Sequence, residues 1–323
     1  MKVQKPDKDH MLDCTEHIVQ AAIETIVENA GARSMPFQIK AATSAAIKLQ
    51  QKQGVLLQAH AGLGKTYMVL PAIKYLLDNN LLEKKSNWPM PILWVTPAAV
   101  IPQTLEVINQ FRLTPYVFPM SYAGLRGKIG EQVYWTKHKH PVHNTFAYNW
   151  NPHALPSMVV FDECQGLKNE TASQTQIAWS IPQGVKRIFI SATPYQKVSE
   201  SRSVVQGVGM NYGQEQVTTD TAPQLLRDIA RWGSPNKLCQ AQMGRLRDSM
   251  KPYAVYVPKV RYKHVTHTRC RLIEFESDEE KAQYDGFYEA FLAKCRKYDR
   301  NTNFGWNEML VAMQKFREGA ELT

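Results

Sequence analysis

Apolar positions along the chain follow two rhythms. Between Thr15 and Ala30 they recur three and four residues apart, at Ile18, Val19, Ala22, Ile23, Ile26 and Val27. This is the stripe of an amphipathic helix, with Thr15 placed to cap it and Gly31 to stop it. A second helix is predicted from Ile39 to Gln51. Other runs are short and continuously apolar: Gly54–Gln58, Pro91–Pro97, Met158–Phe161 and Val185–Ile190. Such runs read as parallel strands buried on both faces. Helices are predicted between them, from Thr66 through Leu76 or Leu77 and from Ala98 toward Phe111. Strand alternating with helix predicts an α/β fold with a mainly parallel sheet flanked by helices. Beyond Gln196 the pattern changes. Ser199 to Gln216 is polar and glycine-rich and reads as a loop. Helices are predicted over Gln224–Trp232, Ala241–Met250 and Asn307–Glu318, a strand over Arg269–Phe275, and a helix capped by Ser277 and Glu280. The C-terminal part is therefore expected to be a helical extension.

Chemistry gathers where apolar runs end. Ala59-His60-Ala61-Gly62-Leu63-Gly64-Lys65-Thr66 lies between the first predicted strand and the helix that follows it. In that setting backbone N–H groups wrap phosphate oxygens and the helix N-terminus adds its dipole. Lys65 would reach the β- and γ-phosphates and the Thr66 hydroxyl would ligate magnesium. Ala61, Gly62, Leu63, Gly64, Lys65 and Thr66 are thus the candidate ATP-binding set. The run Met158–Phe161 leads directly into Asp162 and Glu163. Asp162 would hold magnesium through water, and Glu163 would orient and deprotonate an attacking water. Upstream, Phe37-Gln38 opens the second helix; an amide can both donate to and accept from an adenine edge.

The loop A-x-x-G-x-G-K-T, the tetrad Asp162-Glu163-Cys164-Gln165 and the strand end Ser191-Ala192-Thr193-Pro194 resemble, in the same order, the motifs of superfamily 2 helicases and translocases. The continuation Gly166-Leu167-Lys168-Asn169 resembles the Swi/Snf-like branch, as do Ser121-Tyr122-Ala123-Gly124-Leu125 and the segment Lys251–Lys259. The resemblance implies a RecA-like motor lobe using ATP and Mg2+. It implies that Gln38 reads adenine, that Gln165 joins the nucleotide side, and that Ser191, Ala192 and Thr193 link the acidic pair to the nucleic-acid side. It further implies nucleic-acid contacts at Thr96, Pro97, Tyr122 and Lys168, with duplex DNA as the expected partner. Three features depart from the pattern. Thr104 stands where the branch often has Trp, the paired arginines are missing from 251–259, and no Gln-x-x-Gly-Arg-x-x-Arg segment follows residue 200. That last segment belongs to a second RecA-like lobe and carries the arginine finger. The chain therefore reads as a first lobe whose partner is a second one, either a piece of a longer protein or a natural single-lobe relative. A strand-separating DNA or RNA helicase, and a non-catalytic nucleic-acid-binding fragment, stand as alternatives; intact Lys65, Thr66, Asp162 and Glu163 argue against the latter.

Composition adds little to this but agrees with it. Of 323 residues, 39 are Lys or Arg and 29 Asp or Glu, a net charge of +10 that favours a polyanionic partner. Between 126 and 156, Arg126, Lys128, Lys137, His138, Lys139, His140 and His143 interleave with Tyr134, Trp135, Phe146, Tyr148 and Trp150. Such a stretch is either a surface for phosphates and bases or a loop with its aromatics packed onto the lobe. Three histidines there lack the companions of a metal set. The five cysteines form no C-x-x-C pair and read as free thiols of a reducing, cytoplasmic or nuclear compartment. No apolar run approaches the roughly 18 residues of a membrane span, and the N-terminus has no signal-peptide core. The expected divisions are a helical lead-in (1–33), the ATP-binding lobe (34–200), a helical insertion ending the lobe (201–265) and connecting helices (266–323).

Overall fold

The computed structural model describes residues 8–83, 85–87, 90–139, 146–196, 199–212, 215–216 and 240–258, with scattered helical positions between 278 and 289. Internal contacts divide the chain into two units, 1–260 and 261–323. The elements expected over 224–232, 269–275 and 307–318, the cap at Ser277 and Glu280, and His140 and His143 lie outside the described residues.

The first unit opens with α1 (Lys8–Asn29) and α2 (Pro36–Gln51), then β1 (Gly54–Gln58), α3 (Lys65–Asp78), β2 (Ile92–Thr96) and α4 (Ile101–Gln110). It continues through β3 (Val117–Ser121), α5 (Tyr122–Arg126), α6 (Lys128–Val133) and a hairpin of β4 (Trp135–Lys139) and β5 (Phe146–Trp150). The remaining elements are β6 (Met158–Asp162), α7 (Ser173–Trp179), β7 (Lys186–Ser191), α8 (Arg202–Gly207), β8 (Asn211–Tyr212), β9 (Glu215–Gln216), α9 (Gln240–Met250) and β10 (Ala254–Tyr256).

Six strands form one parallel sheet in the order β10-β1-β7-β6-β2-β3. The continuous apolar runs are explained by burial on both faces. Val55, Leu57, Trp94, Val160 and Ile190 point into a core built with α1 to α4. Leu56, Val95, Phe161 and Phe189 point into a second core with α5, α7, α8 and the hairpin. Each such side chain contributes about 1.5–3 kcal/mol on burial. Because both faces are sealed, polar chemistry is left to the strand ends. The register sets which residues meet there: Gln58 lies beside Ser191 and Tyr256, and Thr96 beside Ser121. Among the described residues the edges of the sheet are β3, which carries Pro119, and the three-residue β10. Among the described residues no helix is long and apolar enough to cross a membrane.

Several expectations are corrected. α1 starts at Lys8 rather than at Thr15, which lies inside it, because the polar residues ahead of the apolar stripe contain no breaker beyond Pro6. Gly31 does end that helix region, with φ of 62°. The stretch 199–216 is not a loop: it holds α8 and the β8–β9 hairpin. Val204, Val205 and Val208 are buried there, and neighbouring Ser and Gly residues mask that short apolar face in a composition-based reading. In the 126–156 stretch the aromatics are anchors. Tyr134, Trp135, Tyr148 and Trp150 are buried. The Trp135 indole donates to the Leu125 carbonyl at 2.8 Å and that of Trp150 to Ile177 at 3.2 Å. Trp135 also meets Tyr148 edge-on, with centroids 5.1 Å apart. Lys128, Lys137 and His138 remain exposed.

Gly130 sits where this anchoring is tightest. A Cβ at that position would fall 1.9 Å from the Leu125 carbonyl oxygen and 2.9 Å from the Trp135 indole nitrogen. Since backbone must shift to admit it, Gly130→Ala is expected to cost about 1–3 kcal/mol. Calorimetry should show a melting temperature several degrees below that of the parent; an unchanged value would show that α6 moves freely on the lobe.

Candidate active site

The glycine loop between β1 and α3 takes its shape from two left-handed residues, Gly62 at φ 78° and Gly64 at φ 71°. A Cβ on Gly64 would also lie 2.5 Å from the Gln38 amide nitrogen. Gln38 is therefore part of the loop's support. Its Nε2 donates to the Leu63 carbonyl at 2.9 Å, and its Oε1 accepts from the Met35 N–H at 2.8 Å. Leu63 is buried, while Ala61 and Gly62 are exposed at the surface. α3 begins at Lys65, so the first amides of a 14-residue helix face the loop. Thr66 is half-buried in its first turn.

β6 delivers the acidic pair to the same place. Lys65 Nζ lies 3.3 Å from Glu163 Oε1, and the lysine side chain is only 10% exposed. Glu163 Oε2 accepts from Gln165 Nε2 at 2.8 Å; Gln165 Oε1 in turn accepts from Ser191 Oγ at 2.6 Å. Ser191 Oγ also accepts the Thr193 N–H at 3.0 Å, and the Ala192 carbonyl receives the Gln58 amide at 3.4 Å. A continuous polar chain thus runs from Lys65 through Glu163 and Gln165 to the end of β7.

Asp162 is held differently. Its Oδ2 accepts from Thr96 Oγ1 at 3.0 Å, its Oδ1 accepts the Glu163 N–H at 3.0 Å, and its carbonyl accepts from Tyr122 OH at 2.9 Å. Burial pushes the Asp162 carboxyl above its ordinary value; the Thr96 hydrogen bond opposes this, and the nearby Glu163 charge adds to the rise. Burial raises the Tyr122 phenol well above its usual range and does the same to the Cys164 thiol. Cys164 is a free thiol in a buried place that disfavours its ionised form. Glu163 itself has φ 50° and ψ 53°, a left-handed backbone that costs a residue with a Cβ about 1–2 kcal/mol.

These contacts bring Lys65, Glu163, Gln165 and Ser191 together, with Asp162 joined through the Glu163 N–H, while Thr66 follows Lys65 in the first turn of α3. Thr96 and Tyr122, expected at a nucleic acid, both turn their hydroxyls to Asp162: β2 lies beside β6, and Tyr122 follows β3, the next strand out. Pro97 is half-buried and Lys168 exposed on the same edge. A hydroxyl at Thr66 and a carboxylate at Asp162 are oxygen donors of the kind magnesium would take, with water and phosphate oxygens completing its shell. Among the described residues no three His, Cys, Asp or Glu side chains gather as a protein-only metal site. His138 shares a contact with Thr136 Oγ1 at 3.1 Å.

No family model matches the chain, and no curated protein matches it either. Solved structures do. The SWI2/SNF2 ATPase core of Sulfolobus solfataricus in complex with dsDNA is similar at a TM-score of 0.52 and 17% identity, over 90% of this chain and 59% of that one. The SWI2/SNF2 ATPase core domain of the same organism gives 0.49 and 17%, over 89% and 57%. The chain thus spans less than two thirds of the length of these structures. At this identity the likeness is one of fold, and the chain has the RecA-like α/β fold of the SWI2/SNF2 ATPase core.

Proposed function

We propose that this chain is the first lobe of an ATP-dependent motor that acts on duplex DNA, binding Mg-ATP at the β1–α3 loop and nucleic acid along the same sheet edge. The observation that carries the reading is the Lys65–Glu163 pair, which joins a phosphate-binding lysine to a carboxylate already hydrogen-bonded by Gln165. The DNA-bound state of the structurally similar SWI2/SNF2 core supports duplex DNA as the partner.

ATP phosphates entering the loop would meet the α3 N-terminal amides and Lys65. Lys65 then exchanges its carboxylate partner for the β/γ-phosphates. Glu163, freed from that pair but still held by Gln165, is placed to take a proton from the attacking water. Magnesium, held through Thr66 and Asp162, would neutralise charge on the phosphoryl oxygens. Gln38 would give up one of its two protein hydrogen bonds to an adenine edge.

Lys65→Ala is expected to lower Mg-ATP affinity at least tenfold in calorimetry, since a charge-assisted contact is worth about 1.5–3 kcal/mol. Equal affinities would remove the nucleotide assignment. Duplex DNA should bind with a salt dependence approaching a slope of about −0.9 per phosphate neutralised. A flat response, or a marked preference for RNA, would remove the duplex-DNA reading. Turnover by this chain alone should be slow, because an arginine finger supplied by another lobe is worth about 10³–10⁵ in rate. DNA-stimulated hydrolysis should rise steeply when the second lobe is present and vanish in Glu163→Gln, whereas equal rates with and without that lobe would place the finger within this chain.

A further inference from the structure

The Asp162–Glu163 peptide is held at both of its polar ends. Its carbonyl accepts from Tyr122 OH, and its N–H donates to Asp162 Oδ1. The other oxygen of that carboxylate accepts from Thr96. The plane of this peptide fixes the backbone of Glu163, and Glu163 sits in the left-handed region with its side chain against Lys65. A residue with a Cβ holds that conformation only when its surroundings enforce it.

We propose that Thr96 and Tyr122 are positioning residues: together they lock the Asp162–Glu163 peptide in the orientation that keeps Glu163 left-handed and aimed at the phosphate loop. The inference deepens the hydrolytic reading above and rests on it for its kinetic consequence. Neither side chain reaches the reacting atoms. Tyr122 acts through the main chain of Asp162, and Thr96 through the carboxylate that receives the Glu163 N–H. The two come from different elements, the end of β2 and the start of α5, so the lock closes only when β2, β3 and β6 are in register. The ring of Tyr122 also lies close to where a Cβ on Gly166 would be, about 3.6 Å away, so the phenol is seated between the peptide and the chain that follows it. If the hydroxyls served only to satisfy buried oxygens, their loss would lower stability and leave the direction of Glu163 unchanged.

Tyr122→Phe and Thr96→Val remove one hydroxyl each while keeping shape, and Thr96→Ser keeps the donor. Crystal structures of the nucleotide-free variants should show Glu163 leaving the left-handed region in Tyr122→Phe and Thr96→Val but not in Thr96→Ser. Hydrolysis measured with duplex DNA should show kcat reduced about tenfold, the weight of one net hydrogen bond, with KM and nucleotide affinity unchanged. Thr96→Ser should match the parent. The lock is overturned if Glu163 keeps φ near 50° in the Tyr122→Phe, Thr96→Val double variant, or if that variant turns over as fast as the parent. A parent that hydrolyses no ATP under any condition would sink the hydrolytic reading, and the crystallographic comparison would still decide the lock.

Discussion

A carboxylate pressed into the end of a buried strand is the constraint on which this molecule turns. Asp162 ends a strand sealed on both faces, and water reaches little of it. An ionised carboxylate in such a place must have each oxygen hydrogen-bonded or take up a proton. The structure supplies those bonds from neighbouring elements, Thr96 from β2 and the Glu163 amide from the next residue. Sheet order and site chemistry are therefore one problem. Placing β2 beside β6 brings the hydroxyl, and placing β7 on the other side brings Ser191 to Gln165.

Much of this was legible in the sequence because the physics involved is local. Short apolar runs that alternate with helical patterns read as doubly buried strands, and β1, β2, β6 and β7 follow such runs closely. The glycine loop and the acidic pair were equally plain, since each sits where an apolar run stops. Less legible was anything that depends on which strand lies beside which. Thr96 and Tyr122 are ordinary residues at strand ends until the order β6-β2-β3 sets them around Asp162. Gln38 shows the same limit: its place near the loop could be anticipated, but not that its amide would support the Leu63 carbonyl. The aromatics of 134–150 could equally have been exposed or packed, and only the carbonyls of Leu125 and Ile177, donated to by two indoles, decide it.

Among the described residues the sheet also stops cleanly at its sides. Open strand edges present unpaired backbone groups to any other extended chain, and natural proteins blunt them. Pro119 stands in the middle of β3 and has no N–H to offer a newcomer, while β10 is three residues long. A strand approaching either side therefore finds a gap in the hydrogen-bonding ladder or too short a template. A protein whose interior is six aligned, strongly apolar strands carries the ingredients of a fibril, and these two modest edges are what keep that interior from being copied outward.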